Sequence, residues 1–328
     1  MHGPGKPLDT SAAAEGSAGA AAAWPLAAWR WLFDKPYLLL TLTTLSWAGN
    51  AVASRLATGH ISPMALTAMR WVGVVALLAP FMMRPVMEAA PVLKPIWRRI
   101  LVMGALGFTA FNALMYAAAY HTTAVNMAIF QGSIPVFVLL GGLVAFGTRI
   151  GLLQALGTAL TLIGVGAIAA RGDLQVLASF SFYAGDVFML IACAAYAVYT
   201  LALRDRPKLP GFVFFSALAC AALTISLPLL VWEIAAGHVI WPDLRGWAIL
   251  LYVTLLPSLL SQIFFMRGVE LIGPGRAGLF VNLVPVFGAI LGVAILSEPF
   301  RWYHAAGLVL VLGGIWLAEQ RKAVSAAS

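Results

Sequence analysis

The chain is poor in charge and in cysteine, and no catalytic or metal-binding motif appears in it. Only 10% of its 328 residues are Asp, Glu, Lys or Arg, against 62% hydrophobic. That balance excludes a soluble globular domain and leaves an all-α or all-β integral membrane protein. The two cysteines, Cys193 and Cys220, lie within apolar runs, so both read as small buried hydrophobes with no disulfide framework. There is no H-E-x-x-H, G-x-S-x-G or P-loop, and neither a catalytic nor a metal site is expected. Residues Gly273-Pro274-Gly275-Arg276-Ala277-Gly278 match G-x-G-x-x-G, but an apolar span precedes them where the dinucleotide fold needs a strand, so no cofactor is expected. The net charge of +8 is scattered through short loops, which excludes a nucleic-acid partner. Asp186, Glu233, Glu270, Glu298 and Glu319 all fall near the ends of apolar runs, leaving mid-membrane without a carboxylate. His121, at the edge of the third run, is the one histidine weighed for proton coupling, and Arg70 is expected to pair or to snorkel.

Apolar runs dominate what is there. Ten of them have the length of a bilayer-crossing helix: Tyr37–Ala57, Pro63–Met83, Ile100–Tyr120, Ala124–Phe146, Leu152–Ala170, Tyr183–Leu203, Phe212–Ile234, Trp247–Met266, Gly278–Leu296 and Trp302–Ala318. None shows the period-2 alternation of a membrane barrel, so the chain is an all-α polytopic membrane protein. Residues 1–35 read as a disordered cytoplasmic tail, with Trp24, Trp29 and Trp31 near the interface, and residues 323–328 as a short C-terminal tail. A cytoplasmic N-terminus puts fifteen Lys and Arg in the inside segments and four outside, with Arg70 within a span. That bias places both termini inside.

The chain also repeats itself. Ile134-Pro135-Val136-Phe137 returns 150 residues later as Val284-Pro285-Val286-Phe287, and ten of the 44 positions 122–165 are identical at that offset without a gap. The first helices correspond at an offset of 149, pairing Trp47 with Tyr196 and Arg55 with Arg204. The repeats span residues 36–172 and 173–322. Each holds five spans, an odd number, so the second copy must enter the membrane from the opposite face. Two inverted five-helix repeats are the arrangement from which secondary transporters build alternating access around a midplane site. Pro135 and Pro285 break the helical ladder at equivalent places and are the expected hinges.

Polar residues within the spans are the candidate binding groups. Ser46, Asn50 and Ser54 recur every four residues, with Trp47 beside them. Asn112 and Tyr116 pair on the third span, Tyr196 and Tyr199 on the sixth, and Ser258 and Gln262 on the eighth. Gln131 and Asn282 precede the two prolines. A cavity lined by Ser46, Trp47, Asn50, Tyr116, Gln131, Tyr196, Tyr199, Ser258, Gln262 and Asn282 would offer hydrogen bonds and aromatic walls to a small solute.

The sequence resembles the EamA-type ten-helix exporters of the drug/metabolite transporter superfamily. The resemblance rests on Leu45-Ser46-Trp47-Ala48-Gly49-Asn50, Arg70-Trp71, Tyr116-Ala117-Ala118-Ala119-Tyr120 and Leu296-Ser297-Glu298, followed by Ala306-Gly307 and Gly313-Gly314. Gly147-Thr148-Arg149 departs from it, lacking the acidic residue that the second half keeps as Glu298. Within the family the chain is most similar to bacterial inner-membrane exporters of aromatic amino acids. That likeness implies export of aromatic or other neutral amino acids by a monomer or weak oligomer in the lipid bilayer. A phosphorylated-metabolite or nucleotide-sugar exchanger is the alternative, and an intramembrane enzyme or receptor a second.

Overall fold

The structure, a computed structural model, describes residues 30–148, 150–173 and 183–325. Most of the expected N-terminal tail, Arg149, most of the linker between the repeats and the last three residues lie outside the described residues. Ten long helices follow one another among the described residues: α1 Pro36–Ala57, α2 Pro63–Glu88, α3 Ala90–Ala118, α4 Ala124–Phe146, α5 Leu152–Ala169, α6 Ala184–Asp205, α7 Gly211–Ala235, α8 Leu244–Ile272, α9 Pro274–Leu296 and α10 Trp302–Ser325. Several outrun the expected spans, α3 by starting at Ala90 and α10 by continuing into the expected C-terminal tail.

Among the described residues nine helices, α2 to α10, are long and apolar enough to cross a membrane. The tenth, α1, is 22 residues long but buries three hydroxyls, of Thr43, Thr44 and Ser54, and the amide of Asn50. The hydroxyls are satisfied by back-bonding: Thr43, Thr44 and Ser54, and the less buried Thr41, each donate to the carbonyl four residues earlier, at 2.6–3.0 Å. A hydroxyl satisfied in this way no longer needs water, which makes a polar helix tolerable inside the bundle.

The inversion is visible in the glycines. A Cβ on Gly157 of α5 would lie 2.4 Å from the Gly314 carbonyl of α10, and one on Gly314 would lie 2.4 Å from the Gly157 carbonyl. Gly164 and Gly307 stand in the same relation, at 2.9 and 3.0 Å. Gly157 corresponds to Gly307 and Gly164 to Gly314 at the 150-residue offset, so each contact is exchanged with the other by swapping the repeats. Only an antiparallel pair about a two-fold axis does this. The absence of side chains lets the two backbones touch.

Smaller features repeat as well. Gly147 and Ser297 both end their helices in the left-handed region, with φ of 61° and 54°. Their own N–H groups donate to the Leu143 and Val293 carbonyls, the αL form of helix cap, and Thr148 N–H and Glu298 N–H donate to the Gly142 and Gly292 carbonyls at 3.4 and 3.3 Å. The third helix of each repeat contains a widened turn, Ala105–Ala110 in α3 and Thr254–Leu260 in α8.

The glycine contact makes a testable contrast. Gly314→Ala should lower the melting temperature of the purified protein, by the equivalent of about 1–3 kcal/mol, because the new methyl meets backbone that cannot rotate away. Gly313→Ala, whose Cβ would meet nothing within 4 Å, should leave it unchanged or slightly raised. Equal melting temperatures for the two variants would refute backbone contact at the two-fold.

Candidate functional site

The sequence places Pro135 and Pro285 inside single kinked helices; the structure breaks both helices instead. α4 consists of Ala124–Gln131 and Ile134–Phe146, and α9 of Pro274–Val281 and Val284–Leu296. Each proline takes the second position of a new half-helix, where its missing N–H costs nothing. Gly132 and Ser133 donate to the Ile129 and Phe130 carbonyls, each at 2.9 Å, to close the first half. The two broken helices cross there: a Cβ on Gly288 would lie 2.2 Å from the Ala128 Cβ, and one on Gly132 3.4 Å from the Pro285 ring. These glycines therefore permit a close crossing.

At the crossing lies a cavity of about 140 Å³. Of the expected residues, Trp47, Asn50, Gln131, Tyr196, Ser258, Gln262 and Asn282 line it, together with Pro135 and Pro285. Three do not. Ser46 faces an apolar groove between α1 and α8, where its hydroxyl has no partner among the described residues. Tyr116 is 2% exposed behind the wall, and Tyr199 packs against Phe108 and Tyr196 at 5.5 and 5.3 Å between ring centres. Helical spacing put all ten on inward faces but could not separate wall from backing. Trp47 donates from Nε1 to the Pro257 carbonyl at 3.2 Å and packs on Phe265. The side chains of Gln262 and Asn282 make no protein hydrogen bond among the described residues, and that of Gln131 bonds only the Met127 carbonyl at 3.4 Å.

Arg70 contradicts its expectation. It is 4% exposed, lines the cavity and meets no carboxylate among the described residues, so there it neither snorkels nor forms an ion pair. Its Nε donates to Ser258 Oγ, and its Nη1 to Asn112 Oδ1 at 2.5 Å and Tyr116 Oη at 2.6 Å. Tyr116 Oη donates in turn to Asn50 Oδ1 at 3.3 Å, and Asn50 Nδ2 to Asn112 Oδ1 at 3.4 Å, closing a ring. The widened turn of α8 aims Ser258, whose own proton goes to the Val253 carbonyl five residues back. A basic residue in mid-span was the signal in the sequence; its partners lie on two other helices, α3 and α8.

One end of the bundle, distal to the N-terminus, is fastened by carboxylates. Glu298 accepts the Ala124 and Val125 N–H groups that open α4, at 2.9 and 3.0 Å, and lies 3.8 Å from Arg55, which also donates to the Ala119 carbonyl. Glu233 accepts from Ser62 Oγ and from the Met64 and Ala65 N–H groups that open α2, at 2.6–3.2 Å. Asp186 accepts from Thr122 at 2.6 Å, Thr122 from Asn126 at 3.1 Å, and Asn126 Oδ1 faces His304 Nε2 at 3.1 Å. His304, 3% exposed, is thus the buried histidine, while His121 is exposed. The Arg301 N–H donates to His304 Nδ1, which leaves Nε2 to carry the proton. Asp243 caps α8. The Gly246 amide, then His60, hold its carboxyl below the usual carboxylate range, so the cap is present at neutral pH and is lost as pH falls through that lowered value.

At the proximal end, among the described residues, no carboxylate accepts from the opening N–H groups of a helix, and the ion pairs there, Arg99 with Asp205 at 3.8 Å and Arg267 with Asp34 at 3.5 Å, involve exposed carboxylates. Thr148 stands where Glu298 would, and Arg84, exposed and paired with Glu88, stands near the place of Glu233. Packing follows the same asymmetry. In the distal half of α4 every residue from Ala124 to Phe130 is buried, whereas in the proximal half only Val136 and Gly142 are.

The sequence pattern of the EamA-like transporter family matches residues 34–170 and again residues 183–319. The chain belongs to that family. An uncharacterized transporter from Archaeoglobus fulgidus is 28% identical over 299 residues, covering 88% of this chain and 99% of its own. The uncharacterized transporter YyaM of Bacillus subtilis is 24% identical over 67% of this chain and 72% of its own. A crystal structure 18% identical in sequence superposes with a TM-score of 0.60 over 89% of this chain and 99% of that one, a likeness of fold. The two family matches coincide with the two five-helix repeats, and the protein is a multi-pass membrane transporter, not an enzyme.

The distal fastening can be tested in both directions. In a protein lacking Cys193 and Cys220 and carrying Gln131→Cys, Glu298→Gln should raise labelling by an impermeant thiol reagent from the distal side, roughly fivefold or more. Thr148→Glu should supply the missing carboxylate to the start of α9 and slow labelling from the proximal side. Unchanged rates in both would show that carboxylates at the helix starts do not control access.

Proposed function

We propose that the protein is a secondary transporter that exports amino acids, aromatic or otherwise neutral, and related small metabolites by alternating access. The observation that carries the reading is the cavity at the crossing of two broken helices, lined by unpaired carboxamides and aromatic rings. The first half-helices end at Gln131 and Val281, so their carbonyl ends turn toward the cavity, where an ammonium group is favoured. Trp47 and Tyr196, from equivalent helices of the two repeats, add π faces for a cation or an aromatic side chain.

Cavity size argues for motion. About 140 Å³ is close to the ~150 Å³ of an engineered cavity that just holds benzene, so an amino acid enters only if the walls part. The Pro135 and Pro285 breaks are the places where α4 and α9 can change angle without losing a helical hydrogen bond. The Lys and Arg bias puts the N-terminus in the cytoplasm of a bacterium and the distal end outside, so the structure is fastened on its outer side. No carboxylate lines the cavity among the described residues, which favours movement of solute down its own gradient. A phosphorylated substrate is less well served, since Arg70 is the one cation in the wall among the described residues.

Uptake of single radiolabelled amino acids into proteoliposomes tests this. Aromatic and neutral amino acids should enter at rates that a protonophore changes by less than about twofold. Trp47→Ala should reduce entry while the protein stays monodisperse, and Pro135→Ala or Pro285→Ala should slow it. Absence of entry for the whole panel, or parental rates in all three variants, would overturn the assignment.

A further inference from the structure

We infer that Arg70 is the anion anchor of the central cavity and that the solute it holds carries a single carboxylate. The inference rests on the transport reading and gives its substrate a defining chemical group. A guanidinium has five N–H donors and keeps its positive charge in proteins. Three of those of Arg70 are used: Nε on Ser258, and Nη1 on Asn112 and Tyr116. The two on Nη2 have no protein partner among the described residues, at a residue that is 4% exposed and lines the cavity.

Every group that holds Arg70 is neutral. The buried carboxylates are committed elsewhere: Glu233 to the start of α2, Glu298 to the start of α4, and Asp186 to Thr122. A cation taken out of water without an anion is costly, and removing the anion from a buried pair is strongly destabilising. Here the site holds the cation and leaves the anion's place to the solute. The closed ring of Asn50, Asn112 and Tyr116 fixes the guanidinium, so its free nitrogen is already aimed before the solute arrives.

The geometry also limits the anion. With Nε and Nη1 occupied, Arg70 cannot present a free two-nitrogen fork and offers the two protons of Nη2 alone. No second Lys or Arg lines the cavity among the described residues, so a phosphate or diphosphate would find only part of its charge met. Beside the guanidinium, the Trp71 and Phe108 rings stack 5.0 Å apart and 6° from parallel, and the Arg70 charge lies 5.3 Å from the Trp71 ring. A carboxylate joined to an apolar body meets both surfaces together.

The test measures binding to the full-length protein in detergent, with solutes supplied as matched carboxylate, carboxamide and decarboxylated amine. Phenylalanine, phenylalaninamide, phenethylamine and 3-phenylpropionate form one such set, and leucine with its derivatives a second. Each carboxylate should bind at least about tenfold more tightly than its amide, the size expected of a charge-assisted hydrogen bond. Arg70→Gln should abolish that preference and Arg70→Lys should keep part of it. The wild-type comparison stands even if the variants do not fold. Equal binding of acids and amides by the wild type, preference for the acids in folded Arg70→Gln, or binding of none of them overturns the inference. If 3-phenylpropionate binds and both amino acids do not, the anchor holds and the amino-acid assignment falls. If amino acids and their amides bind alike, the assignment stands and the anchor falls.

Discussion

Lipid cannot hydrogen-bond, and most of this architecture follows from that one constraint. A polar group within the bundle is costly unless it finds a partner in the protein. Thr43, Thr44 and Ser54 of α1 find theirs on their own helix, and the amides that open α2 and α4 find theirs in Glu233 and Glu298. The most demanding group, the Arg70 guanidinium, gathers residues from α1, α3 and α8 around α2. A helix can break at mid-membrane only where protein surrounds the break, and the breaks of α4 and α9 lie against each other, around the cavity.

The inverted repeat builds two similar ends, and local sequence then makes them different. The fold supplies both ends with a left-handed helix cap and a following residue aimed back over it. At the distal end that residue is Glu298, which reaches two free N–H groups; at the proximal end it is Thr148, and the helix opposite begins at Pro274, which has no N–H to offer. One acid and one proline are enough to make a fold-level symmetry into an energetic asymmetry. A distal half-helix buried along its length and a proximal half left largely exposed are the packing expression of the same difference.

Much of this was legible in the sequence because the bilayer sets a strong period. Ten apolar runs, an odd number per repeat and the returning Pro-Val-Phe fix the fold class and its inversion, and the reciprocal glycines follow from matched positions. The wall of the cavity was legible only in part. Spacing puts Ser46, Asn50, Tyr116 and Tyr199 on inward faces, but which of them reaches open space depends on the rotation of each helix against its neighbours, and the widened turns of α3 and α8 alter that rotation. His304 escaped notice because its partner Asn126 is 178 residues away, and no local pattern joins them. Arg70 was visible as an anomaly, but its meaning depended on the neutrality of partners drawn from other helices.

The unequal ends constrain what such a carrier can do thermodynamically. For a protein that moves its solute with no coupled ion, detailed balance requires the ratio of maximal rate to half-saturating concentration to be the same in both directions. Three carboxylates at one end therefore cannot rectify net flow. What they can do is set the two directions at different points on that fixed ratio: fast and weakly saturable from one side, slower and more readily saturated from the other. Well below saturation the two directions are equally efficient; the difference appears only at high outside concentration, where the more readily saturated inward direction caps re-entry, with net direction left to the gradient.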